Sequence, residues 1–393
     1  MRHLVIAFAS VILLASCDSQ SPVEDSGLNI SPSSNADAGS SYSNSVGDIW
    51  ISYQTIPRPL GSGNLSDAIA YLDADADGDT DIFLGTGEYL SQTEVNSFLA
   101  VNDGSGIFSP DESAFTNGPP PATHARKSLV ADFDGNGLDD VMILDHGFDA
   151  QPFPGNQPKL VLQSSSGQFT WSRIEAQTGF HHGGAAGDVD NDGDIDVFVG
   201  GFDPILLIND GSGSFTSNSN RFSGSIQKIF SAELIDVDRD GYLDILAGAH
   251  ERDNDVTSIY WGGSNGNYSD SRRTVIPAAG SFGAVLDFDV VDINSDGLLD
   301  IIINRTRDGD DGPGQGFYQG QYTQLLVGSS VRNYDDQSLQ RIDVPGGDAD
   351  NWFPWIRVFD FNSDGNIDFG SDDSGKGYQY LNDGSGNFTR VQG

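Results

Sequence analysis

Six copies of one nine-residue acidic pattern, D-x-[DN]-x-[DN]-G-x-x-D, govern what this chain can fold into. They begin at Asp73 (DADADGDTD), Asp132 (DFDGNGLDD), Asp188 (DVDNDGDID), Asp236 (DVDRDGYLD), Asp292 (DINSDGLLD) and Asp360 (DFNSDGNID), at steps of 59, 56, 48, 56 and 68 residues. Alternate carboxylates at positions one, three and five converge only where the chain turns tightly, and the glycine at position six permits that turn. A donor set of oxygens without sulfur or imidazole disfavours zinc and copper. Magnesium would keep more water and fewer carboxylates, so calcium is the expected ion, at about six sites.

The expected ligands follow position by position. The first loop offers Asp73, Asp75, Asp77, the carbonyl of Asp79, and Asp81. The second offers Asp132, Asp134, Asn136 and Asp140, and the third Asp188, Asp190, Asp192 and Asp196. The fourth offers Asp236, Asp238, Asp240 and Asp244. The fifth offers Asp292, Asn294, Asp296 and Asp300, and the sixth Asp360, Asn362, Asp364 and Asp368. Their side chains supply 21 carboxylates of the 58 acidic residues, and six bound Ca²⁺ would bring the formal charge from −39 to −27. An EF-hand needs a glutamate at position twelve followed by a helix. Here position twelve is Leu84, Ile143, Val199, Ala247, Ile303 or Ser371. Position nine is followed instead by short apolar runs rich in β-branched residues, such as Ile82-Phe83-Leu84 and Ile301-Ile302-Ile303, which read as buried strands.

The remainder of each repeat is also strand-like. An apolar stretch precedes each loop. A glycine turn recurs later as NDGSGIF (102–108), QSSSGQF (163–169), NDGSGSF (209–215), GGSNGNY (262–268) and NDGSGNF (382–388), with a degraded copy between Val327 and Tyr334. A fourth strand is expected to begin at the aromatic residue. Four strands per unit, repeated radially, is the signature of a β-propeller. The loops and turns together resemble FG-GAP/VCBS-type repeats, the family that includes the propeller of integrin α subunits. The resemblance covers residues 48–393 and implies an all-β fold of four-stranded blades. Phe282-Gly283-Ala284 is the nearest approach to the literal family words. Six loops and six turns imply six blades, with seven the alternative because family members often have seven. Asp48 to Tyr53 is expected to supply a fourth strand to the last blade and so close the ring.

The chain opens with Arg2, His3 and an apolar run, Leu4 to Ala15, which is too short to span a bilayer and fits a secretory leader. It ends Leu14-Ala15-Ser16-Cys17, which resembles the bacterial lipobox. That resemblance implies removal of residues 1–16, acylation of Cys17 and anchoring in the cell envelope by lipid alone; Asp18 resembles an inner-membrane retention signal. Cys17 is the only cysteine, which leaves no disulfide for the folded part. Residues 17–47 are rich in Ser and Asn and read as a flexible tether. A net charge of −39 argues against nucleic acid and against a basic membrane-binding surface.

The candidate ligand face lies opposite the acidic loops. Strand one runs toward each loop and strand two away from it, so the 2–3 loops and 4–1 connections share the far face. His124, His181 and His182 fall just before a first strand, and His146 and His250 six residues past position nine. Arg126, Arg252, Arg305, Arg307, Arg357, Trp352 and Trp355 map there too. Arginine pairs with carboxylates or sulfates, and tryptophan stacks on sugar rings. A His-bound transition metal on this face is a further expectation. No nucleophile–base signature, phosphate loop or H-E-x-x-H site is present. Three functions stay open: a monomeric binding or adhesion module for carbohydrate or protein, a polysaccharide lyase or sugar dehydratase using the His/Arg face, and an assembly scaffold.

Overall fold

The structure is a computed structural model, and it describes residues 51–392 apart from 61, 89–90, 175–177, 252–254 and 310–315. The expected leader, Cys17, the expected tether, Asp48 to Trp50 and Arg252 lie outside the described residues. Six antiparallel sheets, each with four main strands drawn from one continuous stretch of chain, form a six-bladed β-propeller. The first strands are Asn64–Leu72, Ala125–Ala131, His181–Gly187, Ile229–Ile235, Ala284–Val291 and Ile356–Phe359. The second are Asp81–Gly87, Asp140–Asp145, Asp196–Gly201, Asp244–Ala249, Asp300–Thr306 and Asp368–Ser371. In every blade the residue before position one pairs with position nine, as Leu72 with Asp81 and Phe359 with Asp368. Each acidic pattern is therefore the connection of a hairpin.

The second strands are buried along their whole length, which is why they read as unbroken apolar runs. Successive side chains point to opposite faces of a sheet. Val141 and Ile143 of blade two pack toward blade one, and Met142 and Leu144 pack toward blade three. Each such burial contributes roughly 1.5–3 kcal/mol. An isolated blade would leave half of that surface in water, so the sheets fold only as neighbours.

Polar contacts lock the same junctions. The side-chain Nδ2 of Asn209 in blade three donates to the Phe133 carbonyl in the loop of blade two (2.8 Å), and Asn382 of blade six to that of Ile293 in blade five (3.0 Å). Gln163 of blade two does the same to Ala74 in blade one (2.6 Å).

Two expectations need correction. The fourth place in the last sheet is held by Phe388–Gln392, which the NDGSGNF turn folds back onto Tyr378–Asn382, so no strand is wanted from the N-terminus. The segment from Ile51 closes the ring by other means: Tyr53–Thr55 is a single 3₁₀ turn. Ile51, Tyr53 and Ile56 cover the face of blade one that bears Ile69, Tyr71, Ile82 and Leu84. The Tyr53 hydroxyl meets that of Tyr71 in blade one and donates to Asp372 (2.5 Å), just past the second strand of blade six. In blade four the turn aromatic does not open the fourth strand. Tyr268 pairs with Phe222 in a two-residue parallel bridge toward blade three, and a 3₁₀ turn over Asp270–Arg272 intervenes before the fourth strand, Arg273–Val275.

Candidate functional site

The six acidic loops share one hydrogen-bond scheme. The glycine N–H at position six donates to the position-one carboxylate in all six, at 2.8–3.2 Å. Position seven donates to the position-five side chain in every loop, as Asp79 to Asp77 (2.9 Å) and Tyr242 to Asp240 (3.1 Å). The backbone at position six has φ between +87° and +98°, where a Cβ would be strained. Position four is left-handed as well, at Ala76, Gly135, Asn191, Arg239, Ser295 and Ser363.

Position nine plays a double part. Its Oδ2 accepts from the backbone of position two and its Oδ1 from the third strand, so Asp196 takes Val189 (3.1 Å) and Asn209 (2.9 Å). The other five loops repeat this pairing, the donor to Oδ1 in blade four being Gly262, just past its third strand. A carboxylate oxygen has a second lone pair, so these bonds leave room for a cation. In the first four loops the ligand atoms at positions one, three and nine lie within 4.8 Å of one another. Burial, aided by neighbouring carboxylates, pushes Asp244 up to about 8, Asp140 and Asp196 to about 7, and Asp81 and Asp300 to about 6. Crowded, partly desolvated carboxylates with a pinched backbone are a fit for Ca²⁺. Arg221 reaches Asp190 in the third loop (2.7 Å), and Arg332 reaches Asp238 and Asp240 in the fourth.

The far face carries a cavity of about 550 Å³. Its lining follows the repeat. Counting from position one of blades two, three and four, the residues eight before are His124, Phe180 and Lys228. Those six before are Arg126, His182 and Phe230, and those fourteen after are His146, Phe202 and His250. Nine lining residues are thus three equivalent positions in three consecutive blades. Asp149 and Phe153 enter from the 2–3 loop of blade two, and Phe317 and Tyr318 from that of blade five.

The rings stack in series. His146 lies 4.3 Å from Phe180, His182 lies 3.9 Å from Phe230, and Phe230 lies 4.8 Å from His250, centroid to centroid. Burial, with Arg126 and a second histidine nearby, holds His146 and His182 well below the ordinary imidazole range, and burial lowers His124. Those three imidazoles are therefore neutral near pH 7, and the lining also holds the cationic side chains of Arg126 and Lys228. Arg126 Nε donates to His182 Nε2 (3.2 Å), and its Nη2 donates to the Tyr318 hydroxyl (3.2 Å), which in turn lies 3.1 Å from that imidazole nitrogen.

Of the expected face, His124, Arg126, His146, His182 and His250 line this cavity. The other residues are placed elsewhere. His181 is buried beside it. Arg305 is fully buried, paired with Glu251 (2.9 Å) and bonded to Gln324 (2.8 Å). Arg307 pairs with Asp348 (2.5 Å). Trp352 borders Tyr318 at 5.0 Å, Trp355 lies against Lys127, and Arg357 is buried over Phe359. Lys228, Phe180, Phe202 and Phe230 stand at the same offsets as the histidines, so the repeat already marked them; Phe153, Phe317 and Tyr318, on the 2–3 loops of blades two and five, carried no such mark.

Residues 188–247 and 236–303, which run from the acidic loop of blade three into the second strand of blade five, match the FG-GAP-like repeat family. No curated protein sequence matches the chain. Among solved structures it is similar to an Agrocybe aegerita lectin that recognises non-reducing terminal N-acetylglucosamine, at 14% identity over 82% of this chain and 78% of that one, with a TM-score of 0.44. It is also similar to the V. cholerae biofilm matrix protein Bap1, at 15% identity over 80% of this chain and 45% of that one, TM-score 0.43. The chain thus spans under half of that matrix protein. A third likeness is to an exo-β-1,3-galactanase from Clostridium thermocellum, at 12% identity over 84% and 82%, TM-score 0.39.

Proposed function

We propose that this protein is a calcium-stabilised binding module of the bacterial cell envelope, held to the membrane by acylated Cys17 and a Ser-rich tether. Its ligand is a carbohydrate bearing carboxylate or sulfate groups, bound in the cavity opposite the acidic loops. The carrying observation is the convergence of equivalent positions from three blades into one concave site of aromatic planes, neutral imidazoles and two cationic side chains. Aromatic faces stack on the apolar faces of sugar rings, and Arg126 offers a planar fork for a carboxylate or sulfate. A protein partner presenting acidic side chains would meet the same chemistry. A glycan array probed in calcium tests the reading. Arg126→Ala with Lys228→Ala should abolish binding to acidic glycans and leave folding intact. Equal binding by wild type and the double variant would remove it.

One observation favours a second reading. Arg126, His182 and Tyr318 form a closed hydrogen-bonded set inside the cavity. A neutral imidazole beside a phenol and a guanidinium is suited to removing a proton next to a sugar carboxylate, as a lyase does. Following the absorbance of an unsaturated product from uronate polysaccharides separates this enzyme from a pure binder. If neither a glycan nor turnover is found, the scaffold reading is left.

A further inference from the structure

The cavity holds a second kind of cluster, chemically unlike the acidic loops. Ligand atoms of His124, His146 and Asp149 lie within 4.8 Å of one another, at the end of blade two that faces away from those loops. We propose that these three residues bind one divalent transition-metal ion of the zinc class, with an open coordination position facing the cavity. The site does not depend on the cavity's taking a sugar.

Ligand type separates the two kinds of site. Imidazole nitrogen suits zinc and its neighbours and does not suit calcium, which takes oxygen. Two histidines and one carboxylate make three protein ligands, the number that leaves a fourth place for water or substrate.

The imidazoles are held ready for this. His146 Nδ1 lies 2.9 Å from the Gly147 carbonyl. A carbonyl oxygen only accepts, so Nδ1 carries the hydrogen and Nε2 carries the lone pair, which is the usual outer-shell arrangement around a metal-bound histidine. The ring is clamped flat against Phe180 and meets His124 edge-on, at 4.1 Å between centroids.

The backbone beneath is equally fixed. The buried Asp145 carboxylate accepts the N–H groups of Thr123, His124 and Gly147, each at 2.9 Å, and is paired with buried Lys159 (2.5 Å). The His146 N–H donates to the His124 carbonyl (3.1 Å). Packing and hydrogen bonds thus set the spacing of the two rings before any ion arrives. Arg126 shares the cavity and opposes a cation. Asp149 offsets that charge, and an anionic ligand in the open position would offset it further.

The test uses the full chain, stripped with EDTA and returned to saturating calcium so that the acidic loops are filled. Zinc is then titrated by calorimetry, and cobalt is followed by its visible absorption as a report of nitrogen ligation. We expect one zinc per chain that excess calcium does not displace. His124→Gln and Asp149→Asn should each weaken it by at least about tenfold, as loss of a ligand must cost no less than loss of an outer-shell partner. Asp149 is exposed and His124 is only partly buried, so the test does not rest on the buried His146, and each variant's melting curve reports its folding. Asp292→Asn, in an acidic loop, should leave the zinc titration unchanged. Absence of zinc binding in the calcium-loaded wild type would overturn the proposal. So would binding of equal affinity in the His124→Gln, Asp149→Asn double variant. Either result would leave the glycan measurements standing.

Discussion

Lys127 Nζ lies 3.3 Å from Glu233 Oε1, with both side chains almost wholly withdrawn from water. The two residues sit on the first strands of blades two and four, so the pair skips the blade between. The same ammonium lies 4.5 Å from the ring centroid of Trp355, at the start of blade six. One lysine thus ties three alternate blades at the centre of the wheel. Removing one partner of a buried pair strands the other, at a cost of about 3–5 kcal/mol. Lys127→Met should lose that much in urea denaturation. Adding Glu233→Leu to it should recover most of the loss, because two apolar side chains need no partner. A single variant as stable as wild type would contradict the arrangement.

The acidic loops hold two functions that mutation should separate. Asp192, at position five, supports its loop by accepting from Asp194, whereas Asp196, at position nine, ties position two of the loop to the third strand. Asp196→Asn replaces one acceptor oxygen with a donor that faces a backbone N–H. The loss of about 1–3 kcal/mol should appear with or without calcium. Asp192→Asn should cost stability mainly when calcium is present. Thermal melts of both variants in calcium and in EGTA check the split.

Much of this was legible in the residues, and the limits have physical causes. The loops announce themselves because one backbone turn demands glycine at one place and oxygens at fixed others. The left-handed position four was signalled only by Gly135 and Asn191, since Ala76, Arg239, Ser295 and Ser363 show no such preference. His124, His146, His182 and His250, which strand direction alone put on one face, line one cavity. Arg305 went astray because its partner, Glu251, is 54 residues away in sequence and no local pattern records a buried pair. The N-terminal segment matched strand spacing, yet the C-terminal strand already filled that place in the sheet.

Acidity gives a third prediction. Position-nine aspartates such as Asp140, Asp196 and Asp244 are raised to between about 7 and about 8 in the folded chain without metal. An unfolded aspartate titrates near about 3.9. The ion-free fold therefore favours the protonated form, so the contribution from these groups is fully present below about pH 4. It is lost as pH rises through the folded values, toward about pH 8. Bound calcium requires the ionised form and would remove that loss. The stabilisation conferred by calcium, measured as the difference in Tm between calcium and EGTA, should grow from pH 5.5 to pH 8 and release protons on binding. A difference that shrinks over this range would count against calcium in these loops.

The last prediction concerns ring closure. Tyr53 is buried between blades one and six, and its hydroxyl serves both Tyr71 and Asp372. Burial first, then the Asp372 carboxylate, keep its phenol protonated and donating far above the ordinary range. Tyr53→Phe keeps the ring and leaves buried Asp372 short of a donor, which should cost about 1–3 kcal/mol. Tyr53→Ala also opens a cavity against Ile69 and Leu84 and should cost about 3–5 kcal/mol. Because the segment joins the two ends of the ring, the larger loss should appear first as faster hydrogen exchange in the second strands of blades one and six, Asp81–Gly87 and Asp368–Ser371. Uniform exchange across all six blades in Tyr53→Ala would mean that the wheel closes without this segment.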